Sequence, residues 1–145
     1  MRKKTWQQAE DQCCKDFGAK LTPRSGAGFV LKGDCISNSS DPNDKRMFEV
    51  KSSTRKDING HFITLSADWF ETVKRHAFAS GRDPYVYLYL GDPPHSFLYV
   101  YDPFFADMSD GIVVNNTKKV YLKELDEIIP LFIVNGEAWR ICTDD

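Results

Sequence analysis

The sequence predicts an α/β or α+β fold built around a central mixed sheet. Three observations support this prediction: apolar residues at helical spacing, runs of β-branched and aromatic residues, and turn residues between the runs. The predicted elements follow the order α-β-β-β-α-β-β, with a less regular tail after them. The 145 residues are 41% hydrophobic and 13% aromatic, which is enough for a single domain with a core.

Two segments have the periodicity of amphipathic helices. The first spans residues 4–17 and carries an apolar stripe made by Trp6, Cys13 and Phe17. Glu10 falls on this stripe, so its carboxylate is expected either at the edge of the core or facing a site. The second helix is predicted over residues 67–80, with Ser66 as its N-cap and with an apolar face made by Trp69, Phe70, Val73 and Ala77.

A β-hairpin is predicted from residues 33–37 and 46–51, because the segment between them is dense in turn residues. If the turn is centred on Asp41-Pro42, antiparallel pairing sets Asp34 opposite Glu49, Cys35 opposite Phe48 and Ile36 opposite Met47. Directly opposed Cβ atoms lie ~5 Å apart in such a ladder. A bulge in either strand would shift this register.

The same hairpin sorts its side chains onto two faces. Period-2 alternation puts Glu49 and Lys51 on the face of Asp34, and it turns Phe48 and Val50 toward the core. Two carboxylates and a lysine on one face of a hairpin are costly, because like charges opposite each other destabilise a sheet. The alternative interpretation is that Glu49 and Lys51 form the solvated face of an amphipathic strand.

Further strands are predicted along the rest of the chain. Asn135-Gly136 is a strong two-residue hairpin signal between two of them. A short helix over residues 121–129, ending before Pro130, is also predicted. The predicted strands cover residues 61–65, 85–90, 96–101, 112–114, 131–134 and 139–141.

The charge of the chain is small in total and uneven in distribution. The formal net charge of −2 argues against a generally basic nucleic-acid binder. Residues 1–60 nevertheless carry 12 Lys and Arg against 8 Asp and Glu, whereas residues 61–145 carry 7 against 13. The positive half therefore contains the hairpin with Asp34, Glu49 and Lys51.

Four cysteines and the absence of long apolar runs bear on the compartment. The cysteines show no C-x-x-C spacing, so reduced thiols are expected, with zinc or disulfide use as the alternative. No apolar run approaches the ~20 residues of a membrane span, and the basic N-terminus is not followed by a signal-type apolar region. A cytoplasmic protein without membrane association is expected.

The acids of the hairpin suit a hard divalent cation. Mg²⁺ prefers oxygen ligands and is usually held by one or two carboxylates, waters and substrate phosphate. Asp34 and Glu49 would supply the carboxylates, the carbonyl of Val50 a third oxygen, and Glu10 a further acid. Lys51 would position or deprotonate the attacking water, or stabilise negative charge in the transition state.

In sequence order, Gly33-Asp34, the turn and Glu49-Val50-Lys51 resemble the PD-(D/E)XK nuclease signature, with glycine in place of proline. The order of predicted elements is similar to the restriction-endonuclease-like αβββαβ core, in which helices flank a central mixed sheet. Within that superfamily, the chain looks most like the archaeal-type and phage-encoded Holliday junction resolvases. The resemblance covers residues 5–90, and residues 91–145 form a β-rich extension that matches no motif.

The resemblance implies a Mg²⁺-dependent DNA endonuclease, with Mn²⁺ able to substitute, that acts in recombination, repair or phage DNA processing. It implies Asp34, Glu49, Lys51 and Glu10 as catalytic residues, and Asp34, Glu49, Val50 and Glu10 as metal ligands. Implied DNA contacts are Arg24, Ser25, Lys32, Ser53 and Lys74. The expected partners are branched or duplex DNA and a second copy of the chain, in the host cytoplasm if phage-encoded. The alternatives are a PD-(D/E)XK nuclease of restriction, nicking or exonuclease specificity, and a non-catalytic DNA-binding module.

Overall fold

The computed structural model describes residues 4–22, 34–127 and 131–142 of the chain. These residues form three helices, α1 (Thr5–Phe17), α2 (Ala67–Ala79) and α3 (Leu122–Asp126). None of the helices in the described ranges is both long and apolar enough to cross a membrane. The chain is a mixed α/β protein, as predicted, and most of its elements are strands.

Eleven strands are present in the described residues, and they are numbered here in chain order. The first half contains β1 (Ala19–Leu21), β2 (Cys35–Ser37), β3 (Arg46–Ser53), β4 (Lys56–Asp57), β5 (Gly60–Ser66) and β6 (Asp83–Leu90). The second half contains β7 (His95–Tyr101), β8 (Ile112–Val114), β9 (Thr117–Tyr121), β10 (Leu131–Val134) and β11 (Glu137–Ile141).

Eight strands form one mixed sheet with the order β1-β2-β3-β6-β7-β11-β10-β8. The β3–β6 and β8–β10 pairs are parallel, and the other pairs are antiparallel. A separate three-stranded sheet has the order β4-β5-β9. The predicted mixed sheet is therefore confirmed, and the β-rich extension continues this sheet through β7, β11, β10 and β8 and supplies β9 to the small sheet.

The two longer helices cover opposite faces of the large sheet. Cys13 of α1 packs with Phe48, Tyr87 and Leu98, and Phe17 lies against the same cluster. On the other face, Phe70 and Val73 of α2 pack among side chains that alternate with those of the first cluster along β6. The helices that were predicted to flank the sheet therefore do so at β3 and β6.

The helix predicted over residues 4–17 is confirmed as α1, which ends at Gly18. Gly18 has a φ of 59°, a left-handed conformation that glycine adopts without the steric cost of a Cβ. The predicted apolar stripe is wrong at one position, because the Trp6 side chain is 44% exposed. The buried positions of α1 are Ala9, Glu10 and Cys13.

The crossover from β3 to β6 passes through β4, β5 and α2. The predicted N-cap is confirmed, since the Ser66 hydroxyl accepts a hydrogen bond from the Trp69 N–H at 3.1 Å. Phe70, Val73 and Ala77 are buried as predicted. This long crossover is what allows β6 to lie parallel to β3 along its whole length.

The hairpin register predicted from the Asp41-Pro42 turn is confirmed for two pairs, Cys35 with Phe48 and Ile36 with Met47. The expected pairing of Asp34 with Glu49 is wrong, since the ladder stops at Cys35 and Asp34 lies in a bend. The Asp34 N–H instead donates to the Phe48 carbonyl at 3.1 Å, one residue before Glu49. Two consecutive residues, Asp34 and Cys35, thus meet Phe48, as in a β-bulge.

Candidate functional site

Asp34 is held against the backbone of β3 by its own side chain. Its Oδ2 atom accepts a hydrogen bond from the N–H of Val50 at 2.9 Å. That N–H belongs to the peptide group joining Glu49 to Val50, so the Asp34 carboxylate lies beside the backbone of Glu49. The bend at Asp34 thus brings its carboxylate to the edge of β3, although it removes the predicted cross-strand pairing.

The backbone of Val50 faces the same side as Asp34. In an antiparallel ladder, the N–H and C=O of one residue point to the same neighbouring strand. Because the Val50 N–H points to Asp34, the Val50 carbonyl also points to that side of β3. This orientation suits the predicted use of the carbonyl as an oxygen ligand next to the carboxylate.

Glu49 and Lys51 project from β3 toward the face that α2 covers. Met47 on that face packs with Ile36 and with Ala77 of α2, and alternation along the strand carries Glu49 and Lys51 to the same side. Phe48 and Val50 point to the α1 face, where they join the cluster around Cys13. The predicted division of β3 into two faces is therefore confirmed.

Lys51 is half-buried beneath the first turn of α2. Its Nζ atom lies 5.2 Å from the centre of the Trp69 ring, over the face of the indole. Burial lowers the pKa of the Lys51 ammonium below its usual value. A larger fraction of this lysine is therefore neutral, at any given pH, than of an exposed lysine.

Glu10 is buried in α1, with only 7% of the residue exposed. Its backbone carbonyl accepts a hydrogen bond from the Cys35 thiol, with 3.9 Å between sulfur and oxygen. Since Cys35 directly follows Asp34, this contact links α1 to the start of β2, one residue after the acid. Helix α1, however, covers the face of Phe48 and Val50, whereas Glu49 and Lys51 project from the opposite face.

Thiols occupy the space between α1 and β2. Cys14 and Cys35 are both free thiols, and their sulfur atoms lie 3.4 Å apart. Burial raises the pKa of Cys14 to about 12, and a hydrogen bond with Cys13, together with burial, raises the pKa of Cys35. Both sulfurs are therefore protonated near neutral pH and act as packing groups beside Asp34.

Asp34 and the neighbouring residues of β3 supply oxygen donors of the kind that a hard cation prefers. Within the described ranges, no group of three or more His, Cys, Asp and Glu side chains is arranged to hold a metal. The structure thus does not gather Glu10 with Asp34 and Glu49 into the expected acidic trio. Asp34, Glu49 and the Val50 carbonyl remain an all-oxygen set of the size that Mg²⁺ uses when waters and substrate phosphate complete its shell.

The residues expected to contact DNA have separate locations. Arg24, Ser25 and Lys32 lie outside the described residues. Ser53 lies at the end of β3, where its hydroxyl donates to the Phe62 carbonyl at 2.8 Å. Lys74 lies two strands away from β3, where its ammonium binds Glu71 and Glu137 and covers the ring of Tyr101. Lys74 is therefore not near Asp34 and Lys51, and its charge is neutralised by two carboxylates.

A polar cavity of about 300 Å³ lies beyond the carboxyl ends of β3 and β6. Ligands of sheets with parallel strands often bind at such ends. The predicted site residues do not line it, and sequence periodicity gave no sign of it. Its lining comes from the start of α1, the residue after β3, the end of β6 and the β6–β7 turn, namely Lys4, Thr5, Gln8, Thr54, Tyr89, Gly91, Asp92 and Pro94.

No protein-family model matches this chain, and neither a curated protein nor a solved structure is significantly similar to it. The fold and the site geometry are therefore the basis for any statement about function.

Proposed function

We propose that this chain is a Mg²⁺-dependent DNA endonuclease with a restriction-endonuclease-like core, and that its substrate is branched DNA such as a four-way junction. One observation carries the proposal. The Asp34 carboxylate is fixed on the peptide between Glu49 and Val50, and Lys51 follows on the same strand with a lowered pKa. Asp34 is thus held against the short stretch of β3 that carries a second acid and a desolvated lysine, an arrangement that suits metal-assisted phosphodiester hydrolysis.

The roles of the residues follow from their chemistry. Asp34, Glu49 and the Val50 carbonyl would hold Mg²⁺, which when bound supplies positive charge to the phosphate that is attacked. The N–H of Val50 fixes the orientation of the Asp34 carboxylate, so its position costs little reorganisation during the reaction. Lys51 holds or accepts a proton at its Nζ atom, and partial burial makes the neutral amine accessible.

The structure supports a lesser role for Glu10 than the motif alone implies. Glu10 is on the helix that covers the other face of β3, and its backbone carbonyl contacts the thiol next to Asp34. Glu10 therefore positions the start of β2, and with it Asp34. A homodimer is part of the proposal, because symmetrical cleavage of a junction needs two active sites. The proposed compartment is the cytoplasm, where such DNA is processed.

A cleavage assay tests the proposal. Four-way junction, linear duplex and single-stranded DNA are each incubated with the protein in Mg²⁺, in Mn²⁺ and in EDTA. We expect cleavage of the junction in either metal and no cleavage in EDTA. Asp34→Asn and Lys51→Ala should each lower the cleavage rate by at least about 100-fold, as expected for loss of a metal ligand or a proton-transfer group, while binding of the DNA is retained.

Matched controls come from exposed residues of the same type. Lys45→Ala removes an exposed lysine just before β3, and Asp110→Asn neutralises an exposed acid, so both should cleave at the wild-type rate. Normal cleavage by Asp34→Asn or Lys51→Ala would refute the site. Preference for duplex DNA would favour a nuclease of restriction or nicking type, and binding without cleavage of any DNA would favour a non-catalytic module.

A further inference from the structure

The outer face of the small sheet carries a set of cations arranged around one aromatic ring. Phe62 of β5 pairs with Tyr121 of β9, and Thr64 pairs with Lys119, so these four side chains share a face. The other face, with Ile63, Leu65 and Val120, is buried in the core. The outer face is therefore the one that this sheet presents to solvent.

Two cations stack on the Phe62 ring, Arg55 from the segment between β3 and β4 and Lys119 from β9. The guanidinium carbon of Arg55 lies 5.1 Å from the ring centre, and the Nζ atom of Lys119 lies 4.3 Å from it. Contact with the ring restrains both side chains, so less entropy is lost when they meet an anion. Both residues remain exposed, and their charged groups are accessible from solvent.

The charge around this ring is positive in a chain whose net charge is −2. Arg55 and Lys119 stack on the ring, and Asp57, which pairs with Gly60, lies on the same face. Lys56 and Lys118 pair with His61 and Leu65 and therefore point to the other face. The Asp57 carboxylate accepts hydrogen bonds from Lys119 at 3.1 Å and from the Tyr121 hydroxyl at 2.8 Å. This acid thus orients Lys119 and Tyr121 and offsets one of the two cations on this face.

The face is joined directly to the strand that carries the candidate site. The hydroxyl of Ser53 donates to the Phe62 carbonyl, and Ser53 follows Lys51 by two residues on β3. At ~3.3 Å per strand residue, that step is about 7 Å, or about two base steps of rise along the axis of a DNA duplex. A DNA strand with a phosphate near Lys51 would therefore bring neighbouring phosphates toward the small sheet.

We propose that Arg55 and Lys119, held on Phe62, bind the phosphate backbone of DNA next to the bond that is cut. This inference rests on the proposed function for the choice of DNA as partner. It also gives the β-rich extension a role, because β9 belongs to the extension and completes a face begun by β5. The sequence alone does not predict this face, because Arg55 and Lys119 are far apart in the chain and come together only when β9 pairs with β5.

The test measures binding apart from cleavage. A fluorescently labelled four-way junction and a duplex of the same length are titrated with the full chain in EDTA, at several salt concentrations. The double variant Arg55→Gln/Lys119→Gln should bind about tenfold more weakly at moderate salt. The slope of log K against log [salt] should become less negative by about 2, because two phosphates are no longer neutralised by the protein.

The control variant Lys15→Gln/Lys20→Gln removes the same charge from exposed residues of α1 and β1, and it should keep the wild-type affinity and slope. Thermal unfolding of each variant shows whether the fold is retained. Unchanged affinity and slope in the Arg55/Lys119 variant would overturn the inference, as would preference for RNA or no binding of DNA by the wild type. If the wild type binds through this face but cuts no DNA, the face stands and the nuclease proposal fails.

Discussion

Lys51 is a residue whose burial lowers the stability of the folded chain. An ammonium that is half-buried loses hydration, and this loss lowers the pKa of Lys51. The contact with the Trp69 ring restores part of it, since a cation over an indole face gains about 0.5–1 kcal/mol at partly exposed sites. Destabilising residues of this kind are concentrated at functional sites.

The direction of the Lys51 pKa shift predicts how the stability of the protein changes with pH. The pKa of Lys51 in the folded state is below its unfolded value of 10.5. At a pH between these two values, the unfolded state therefore binds more protons than the folded state. The free energy of unfolding should then rise as the pH rises through this range. Lys51→Met removes the buried charge and keeps a flexible chain against Trp69. We expect its unfolding midpoint at pH 7 to equal or exceed that of the wild type, measured by circular dichroism, although cleavage is lost. A lower midpoint would show that the charge of Lys51 stabilises the fold.

Individual residues show which parts of the candidate site can be predicted from the sequence. The alternation of β3 was enough to assign Glu49 and Lys51 to one face. The position of Asp34 was not predictable, because a one-residue bulge at the start of β2 changes its partner from a side chain to the N–H of Val50. The burial of Glu10 on the other side of β3 depends on the tertiary position of α1, which periodicity does not report.

At the scale of elements, strong local signals predicted the structure well. Asn135-Gly136 forms the expected two-residue turn between β10 and β11, with φ values of 50° and 82°. The helices α1 and α2 and the β6–β7 hairpin also follow their sequence patterns. Each of these elements has either a long stretch of periodic apolar residues or a turn whose backbone conformation only a few residue types adopt.

Two short strands with few buried residues were not predicted. Residues 19–21 form β1 and residues 117–121 form β9, although neither was expected to be a strand. In β9 only Val120 is buried, and two of the other residues are lysines, which are depleted in strands. Pairing with β5 rather than local propensity makes β9 a strand. Helix α3 is shorter than the predicted 121–129, because β9 takes up Tyr121 and the helix ends at Asp126.

The turn at Asn135-Gly136 allows a backbone effect to be measured alone. A Cβ added at Gly136 would meet no atom within 4 Å, so the cost of Gly136→Ala comes from its φ of 82°. We expect a loss of about 1–2 kcal/mol in the free energy of unfolding, measured by urea titration. Asn135→Gly in the same turn should change it by less than about 0.5 kcal/mol, since glycine adopts φ of 50° readily. Equal losses in both variants would contradict a type I′ turn.

At the scale of the whole molecule, the extension and the part with the nuclease resemblance share one core. The central cluster joins residues of α2 and β6 to residues from β7 to β11, among them Tyr99, Phe132 and Trp139. Phe70 of α2 contacts both Phe132 and Trp139, with ring centres 5.6 and 5.2 Å apart. The extension therefore supplies one wall of the core that supports the candidate site.

A truncated chain tests this dependence. A protein ending at Gly91 would lack β7 to β11, and β6 would present unpaired backbone groups and an apolar face to solvent. We expect residues 1–91 to aggregate or to show no cooperative unfolding transition by circular dichroism, and to cut no DNA. A cooperative transition in this fragment, with the full chain measured in parallel, would show that residues 5–90 fold alone.

The placement of β11 in the sheet has a consequence for how the protein is made. Strand β11 lies between β7 and β10, yet residues 137–141 are translated after the other ten strands of the described residues. While the chain is being synthesised, β7 has an open edge and the place of Trp139 in the core is vacant. We expect the nascent protein to depend on chaperones that shield apolar surface until residue 141 has left the ribosome, after which the sheet can be completed.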